Sequence, residues 1–422
     1  MTPEHPHNGT AAKATVSVSA GRFPAARTEP GWKRWGKNLL LLASSSLLSL
    51  LLLEGGIRFL GLDVPIVWEP DPKLGWRHIQ GARRHYTEEG SGLIEINELG
   101  YRDRQRQPDK PTGIYRVIIF GDSMTESSQV NLDQTFPSLL EEKLRGQGPS
   151  VEVWNFGVNG YSPIQELLLF KQAGPRYKPD LVILALFLDN DVSGCHPALS
   201  IAPLAPFVTL DEDVLRFDYS RAEQSYADYH RQPIYTIRRF SALYRVLSHG
   251  WHRRLAAAQA QAGTADKIIP QRFRLYLPSP ESSWEQAWST LERVLMEFAA
   301  EAQRQETRLV VLSVPAGHVI NPRAWQNTLD THPAMLDKDW DLEGPDRRLK
   351  AFAQEHGLLL LQPGEVFRQA GHEPPLFFGD LGHMTARGHQ LMAETLEGFL
   401  QREGILPRPE RVHLGPEHGR PN

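Results

Sequence analysis

Five segments of this chain are largely apolar runs of strand length: YRVIIF (115–120), VEVWNF (151–156), LVILALF (181–187), RLVVLSV (308–314) and GLLLLQP (357–363). That pattern constrains the fold more than any other feature. A strand apolar on both sides has to be covered on both sides. Helical periodicity over 136–144, 164–172, 284–305, 347–355 and 386–402 supplies the cover. Strands alternating with such helices predict an α/β domain at residues 113–403, with a parallel sheet between two helical layers. Ligand sites in sheets of this kind lie beyond the carboxyl ends of the strands. The residues just after each run are therefore where chemistry is to be sought.

The 422 residues hold more than that sheet needs. Residues 1–31 are rich in Ala, Thr, Ser and Pro without apolar periodicity, which predicts a disordered tail on the cytoplasmic side. LLLLASSSLLSLLLL (39–53) comes after Lys33, Arg34 and Lys37. Fifteen helical residues rise only ~22 Å, but extended over 38–62 the segment is long enough to span. The run also has the length of a signal-peptide core; the absence of a prompt small-x-small cleavage site and the long stretch before it favour an uncleaved anchor. The basic residues on its amino-terminal side place the chain beyond about residue 65 outside the bacterial cytoplasmic membrane. Residues 64–112 read as a β-rich or irregular lead-in, and 404–422 as a flexible tail.

About 192–283 form an insertion that a minimal α/β unit does not require. Within it, IRRFSALYRVLSHGWHRRL (237–255) gathers Phe240, Leu243, Leu247, Trp251 and Leu255 on one helical face. Packing against the core is the commoner fate of such a face. A helix lying on a membrane is the other reading.

Composition narrows the function. Forty-six basic residues against 50 acidic ones give no footprint for nucleic acid, and a mean hydropathy of -0.39 excludes a multi-span transporter. One cysteine, Cys195, excludes a disulfide scaffold. The sixteen histidines show neither HxxxH nor HExxH spacing, so no metal site is expected. Phosphate-loop and dinucleotide fingerprints are missing too, and no cofactor is expected.

Four strand-end segments carry candidate chemistry. Gly121-Asp122-Ser123-Met124 after the first run exposes a serine hydroxyl at the sheet edge, or is simply a turn. Asn155-Phe-Gly-Val-Asn-Gly160-Tyr-Ser after the second offers a backbone donor beside a glycine, or another turn. Leu188-Asp189-Asn190-Asp191 after the third offers a side-chain amide to an oxyanion, or an Asx turn. Before the last helix, Asp380 and His383 stand three apart, a spacing that can join carboxylate and imidazole, or a local cap and its packing.

Taken together and in this order, the four segments resemble the SGNH (GDSL) hydrolase family, over about residues 95–402 including INELGYRDR before the first strand. Membrane-anchored bacterial envelope members are similar. The resemblance implies a three-layer, flavodoxin-like α/β/α sandwich. It also implies Ser123 as nucleophile, His383 as base and Asp380 orienting His383. The oxyanion hole would be the Ser123 and Gly160 N–H groups with the Asn190 amide. Asp122 would be structural. Where the family has glycine just before the third-segment Asn, this chain has Asp189, which could alter the oxyanion pocket, disfavour anionic substrates or point away.

The expected substrate is an ester, on an acylated envelope glycan or a lipid. Transfer of the acyl group to a carbohydrate hydroxyl, or a non-catalytic polysaccharide-binding module, are the rival readings.

Overall fold

Val117 and Ile119 point to one side of the first sheet strand and Ile118 and Phe120 to the other, and all four are fully buried. Alternation of side chains along a strand makes two apolar faces out of one apolar run. The structure, a computed structural model, describes residues 31–145, 150–211, 214–261, 268–279, 281–371 and 373–406. Both expected tails fall almost wholly outside those residues.

The five runs form the five-stranded parallel sheet that the sequence predicts: β1 (Tyr115–Gly121), β2 (Val151–Gly157), β3 (Leu181–Leu186), β4 (Arg308–Ser313) and β5 (Leu359–Leu361). Across the sheet their order is β2-β1-β3-β4-β5, the flavodoxin-like order, whose topological switch lies between β1 and β3. In register, Gly121 at the end of β1 faces Gly157 of β2 and Ala185 of β3.

Ile118, Phe120, Trp154 and Leu184 pack under α3 (Pro163–Tyr177), α7 (Ser282–Arg304) and Leu349 of α8 (Gly344–His356). Val117, Ile119, Val153 and Ile183 pack under α2 (Phe136–Arg145) and α9 (Ala386–Arg402). These are the two covering layers.

The chain divides into two units, Met1–Gly56 and Ile57–Asn422. Within the first lies most of α1 (Gly31–Phe59). Over Trp32–Phe59 it is long and apolar enough to cross a membrane, with none of that stretch buried.

In the second unit the segment before the sheet is two antiparallel hairpins, Trp68–Asp71 with Gly75–His78 and Arg83–Tyr86 with Gly92–Glu95. They are bonded into the sheet's edge loops. Tyr161 Oη donates to the Trp76 carbonyl (2.6 Å) and Trp76 Nε1 to the Asn159 carbonyl (3.0 Å). Buried Arg102, from the GYRDR stretch, donates to the carbonyls of Glu126, Ser127, Leu93 and Val130. Four carbonyls on one buried guanidinium tie hairpin to sheet edge.

After α4 (Leu188–Gly194), which follows β3, the insertion contributes a hairpin (Phe207–Asp211 with Val214–Asp218), α5 (Pro233–Phe240) and α6 (Ala242–Gln261). The expected single helix over 237–255 is thus two, broken at extended Ser241, whose Oγ accepts from Tyr244 N–H. Nor does its apolar face pack on the core. Phe240, Leu247 and Trp251 are 67%, 64% and 67% exposed.

Candidate active site

Ser123 opens a single helical turn, Ser123–Glu126, directly after β1. Its placement depends on close packing that only glycine permits. A side chain on Gly157 would overlap the Glu126 and Thr125 backbone, and one on Gly121 would overlap the Thr125 side chain. The turn is capped by Asp122, which accepts from Met124 N–H (2.8 Å) and from Asn190 Nδ2 (2.7 Å). Burial raises the Asp122 carboxyl above its ordinary pKa, an effect the Asn190 amide and the Met124 N–H offset only in part. Asp122 thereby holds the serine turn and the third-strand loop together, a structural role.

His383 sits on the loop before α9. The loop is closed by Phe378 N–H donating to the His383 carbonyl (2.8 Å) and by a bridge between Phe377 and Met384. The imidazole Nε2 lies 2.8 Å from Ser123 Oγ. This is the separation at which a base can take a hydroxyl proton.

The other ring nitrogen is where the structure departs from expectation. Nδ1 of His383 meets Glu89 Oε2 at 2.5 Å, and the other carboxylate oxygen of Glu89 accepts from His383 N–H (3.1 Å). Asp380 instead accepts from the Asn327 amide (3.2 Å) at an exposed position. The reason is the loop's shape. Gly379 at φ +60 turns the tip of the loop, which carries Asp380 toward the helix Pro322–Thr331, while His383 at its base faces the second hairpin.

Glycines also make room for Glu89. Any side chain on Gly382 would overlap Glu89 Oε1, and side chains on Gly90 or Gly92 would overlap the carbonyls of Gln129 or Ser128. Behind the serine, buried Glu126 accepts from Ser128 Oγ (2.6 Å) and Asn159 N–H (2.5 Å) and meets His78 Nε2 (3.1 Å). Burial alone would raise its carboxyl; His78, Ser128 and Asn159 together hold it below the usual range.

A cavity of about 230 Å³ opens in front of these groups, lined by Ser123, His383, Asn190, Met124, Ile201 and Arg272 among others. Three of the expected site residues, Ser123, His383 and Asn190, therefore meet at one cavity. Gly160 is not among its lining residues. It takes φ +78 in the adjoining loop, beneath Trp76.

Asp189 also borders the cavity, yet its carboxylate is engaged by Arg272 (2.5 Å) and the Tyr276 hydroxyl, with His318 at 3.8 Å. Burial would raise it; His318, Arg272 and Tyr276 hold it below the ordinary value. Asp189 therefore stays at the cavity edge with its carboxylate taken up by Arg272 and Tyr276. Cys195 is buried and its thiol pushed well up by that burial, a protonated packing group.

Residues 119–391, about two thirds of the chain, match the model of the GDSL-like lipase/acylhydrolase family. This chain belongs to that family. A curated relative of this GDSL-like protein, an arylesterase from Vibrio mimicus, is 26% identical over 98 residues, 23% of this chain. The chain spans about half the length of that relative. Solved structures similar to it include a lipolytic G-D-S-L family protein from Veillonella parvula (12% identity, 68% of this chain and 99% of that one, TM-score 0.35). Another is a lipase/acylhydrolase from Enterococcus faecalis (12%, 68% and 96%, TM-score 0.34).

Two residues of the GDSL-like site were not singled out from the sequence: Glu89 and Arg272. For Glu89 the available signal was the Gly90 and Gly92 pair beside it and the glycine before His383, each a place where backbone approaches closely.

Proposed function

We propose that this protein is a carboxylic ester hydrolase working through an acyl-serine. The observation that carries the proposal is the relay Glu89–His383–Ser123, with 2.5 Å and 2.8 Å between its members. Glu89 on Nδ1 fixes the imidazole tautomer, so that Nε2 carries the lone pair facing Ser123 Oγ. As Oγ attacks the ester carbonyl carbon, His383 takes its proton, and the carboxylate of Glu89 stabilises the resulting imidazolium. The tetrahedral intermediate then collapses. His383 returns the proton to the departing alcohol, and water repeats the sequence to free the acid.

The developing oxyanion would be met by the N–H of Ser123 and the amide of Asn190, which border the cavity; the Gly160 N–H, the third donor that the family resemblance implies, would have to reach it from the adjoining loop. Asn190 is fixed by Asp122, which uses one of its two amide protons and leaves the other for the cavity. Fixed donors of this kind need no reorganisation during the reaction. A cavity of about 230 Å³ suits a short acyl group.

In this reading α1 anchors the chain in a bacterial cytoplasmic membrane, with the hydrolase outside. An O-acylated envelope glycan or lipid is then the substrate within reach. The test is hydrolysis across short-chain aryl esters and acetylated glycans by the full chain in detergent or vesicles, with Ser123→Ala as control. Turnover lost in the variant is the expected result. Ligand binding without turnover in either protein would sink the proposal in favour of a binding module.

A further inference from the structure

The helix pair α5–α6 presents large apolar side chains to solvent: Ile237 and Phe240 from α5, Leu247, Trp251 and Leu255 from α6. Leu247, Trp251 and Leu255 recur every four residues, so they form one stripe. Contiguous apolar surface of this kind marks an interaction site.

Two further observations say what covers it. The first is charge. Residues 233–255 contain five arginines and no Asp or Glu, in a chain whose net charge is -4. Buried Arg245 is committed internally, to Asp63 (2.9 and 2.5 Å) and to the carbonyls of Arg238 and Arg239. Arg238, Arg253 and Arg254 are exposed, as is Arg239, whose guanidinium lies 3.9 Å from Glu69.

The second observation is chain continuity. The second unit begins at Ile57, where the chain leaves the Leu-rich run of α1, and it is at once fastened to this helix pair. Arg58 Nη2 donates to the Phe240 carbonyl (2.6 Å), and Arg245 grips Asp63. Between those two ties Phe59, Leu60 and Leu62 are themselves exposed, Phe59 by 91%. Within the second unit, the exposed Phe59, Leu60 and Leu62 are thus held to α5–α6 by these two ties.

We infer that α5–α6 lies in the interface of an anionic bilayer, apolar stripe down and arginines at the phosphates. The inference uses the anchored reading of α1 only to bring the surface to a membrane. An amphipathic pair of this composition settles about 5–10 Å into the headgroup and upper acyl region, with each arginine adding electrostatic attraction to anionic lipid. Its consequence is orientation. The insertion that carries this surface also supplies Ile201 and Arg272 to the cavity wall.

The experiment uses the full chain in vesicles of phosphatidylglycerol and phosphatidylcholine, with Cys195→Ala and a single introduced cysteine carrying a fluorescent NBD label. Leu247→Cys and Trp251→Cys test the surface, and Lys350→Cys, an exposed position on α8, is the reference. The expected result is blue-shifted emission at 247 and 251, quenched by shallow spin-labelled lipid and shielded severalfold from aqueous iodide relative to 350. Equal iodide access at all three positions would overturn the inference, as would shielding at 247 and 251 that persists without vesicles or shows no response to spin-labelled lipid. Alkaline carbonate extraction reads the anchor separately. A chain released by carbonate yet still shielded at 247 and 251 at neutral pH would refute the anchor and leave the interfacial surface standing.

Discussion

Replacing Glu89 by Gln separates the relay seen here from the Asp380 relay implied by sequence resemblance. In the structure Glu89 accepts from both Nδ1 and the backbone N–H of His383, whereas among the described residues the Asp380 carboxylate accepts from the exposed Asn327 amide. A glutamine at 89 can turn its amide toward Nδ1. Nδ1 then accepts, the ring proton moves to Nε2, and the nitrogen facing Ser123 can no longer take a proton. The same tautomer fault in a serine protease triad costs about 10⁴ in kcat, which is about 5.4 kcal/mol of barrier at 1.36 kcal/mol per decade. Glu89→Gln should lose activity on that scale, with the melting temperature close to wild type because Glu89 is only partly buried.

Asp380→Asn removes a charge but keeps an acceptor oxygen for the Asn327 amide, and should change kcat less than about threefold, as surface changes of this kind contribute within about 0.5 kcal/mol. The assay is kcat and kcat/KM for a short-chain aryl ester, with circular dichroism to confirm folding. Asp380→Asn losing three or more decades while Glu89→Gln keeps most of its rate would refute the reasoning.

Neighbouring contacts give further expectations. Gly382→Ala places a methyl group against both the Phe378 carbonyl and Glu89 Oε1, so the His383 loop and Glu89 must both shift and kcat should fall by orders of magnitude; unchanged kinetics would contradict that close approach. Asn190→Ala removes an oxyanion donor and should lower kcat by about 10²–10³; it also leaves buried Asp122 short of a partner, and a drop in thermal melting temperature should accompany it. Glu166 is fully buried with neither carboxylate oxygen hydrogen-bonded among the described residues, and burial together with nearby Asp122 pushes its pKa well up. Its raised pKa means the folded chain keeps a proton the unfolded chain has released, so stability is complete below about pH 4 and falls as pH rises toward the folded value, at up to about 1.4 kcal/mol per pH unit. Glu166→Gln removes that slope. Melting curves from pH 5 to 9 should therefore diverge in favour of the variant, and parallel curves would contradict the assignment.

Much of the fold was legible because its signal is local. Each sheet strand is an apolar run whose own composition requires cover on two faces, and helices such as 386–402 carry the matching period. Ser123, Asn190 and His383 were legible for a related reason: each comes just after a strand or just before a helix, at the sheet edge where parallel topology gathers ligands. Glu89 was not. It lies in a short turn, YTEEGSG, beside Glu88, which pairs with Arg84. The Gly90 and Gly92 pair marks the turn without saying which of the two carboxylates serves it, and only the tertiary approach of the hairpin to the His383 loop selects one. Asp380 misled for the converse reason, since sequence spacing brought it close to His383 along the chain but the turn at Gly379 aims it elsewhere. The exposed stripe on α5–α6 belongs with these cases. Its periodicity is that of a core helix, and the difference between core and interface is what lies opposite, which a single helix does not encode.

The central claim is that Ser123 is an activated nucleophile, and covalent trapping tests it most directly. The full chain would be treated with a fluorophosphonate and its peptides analysed by mass spectrometry. The account predicts one adduct, on Ser123, formed in step with loss of esterase activity and slowed by orders of magnitude in Glu89→Gln. An active protein that carries no adduct on Ser123, or a modified one that still turns over ester, would contradict it.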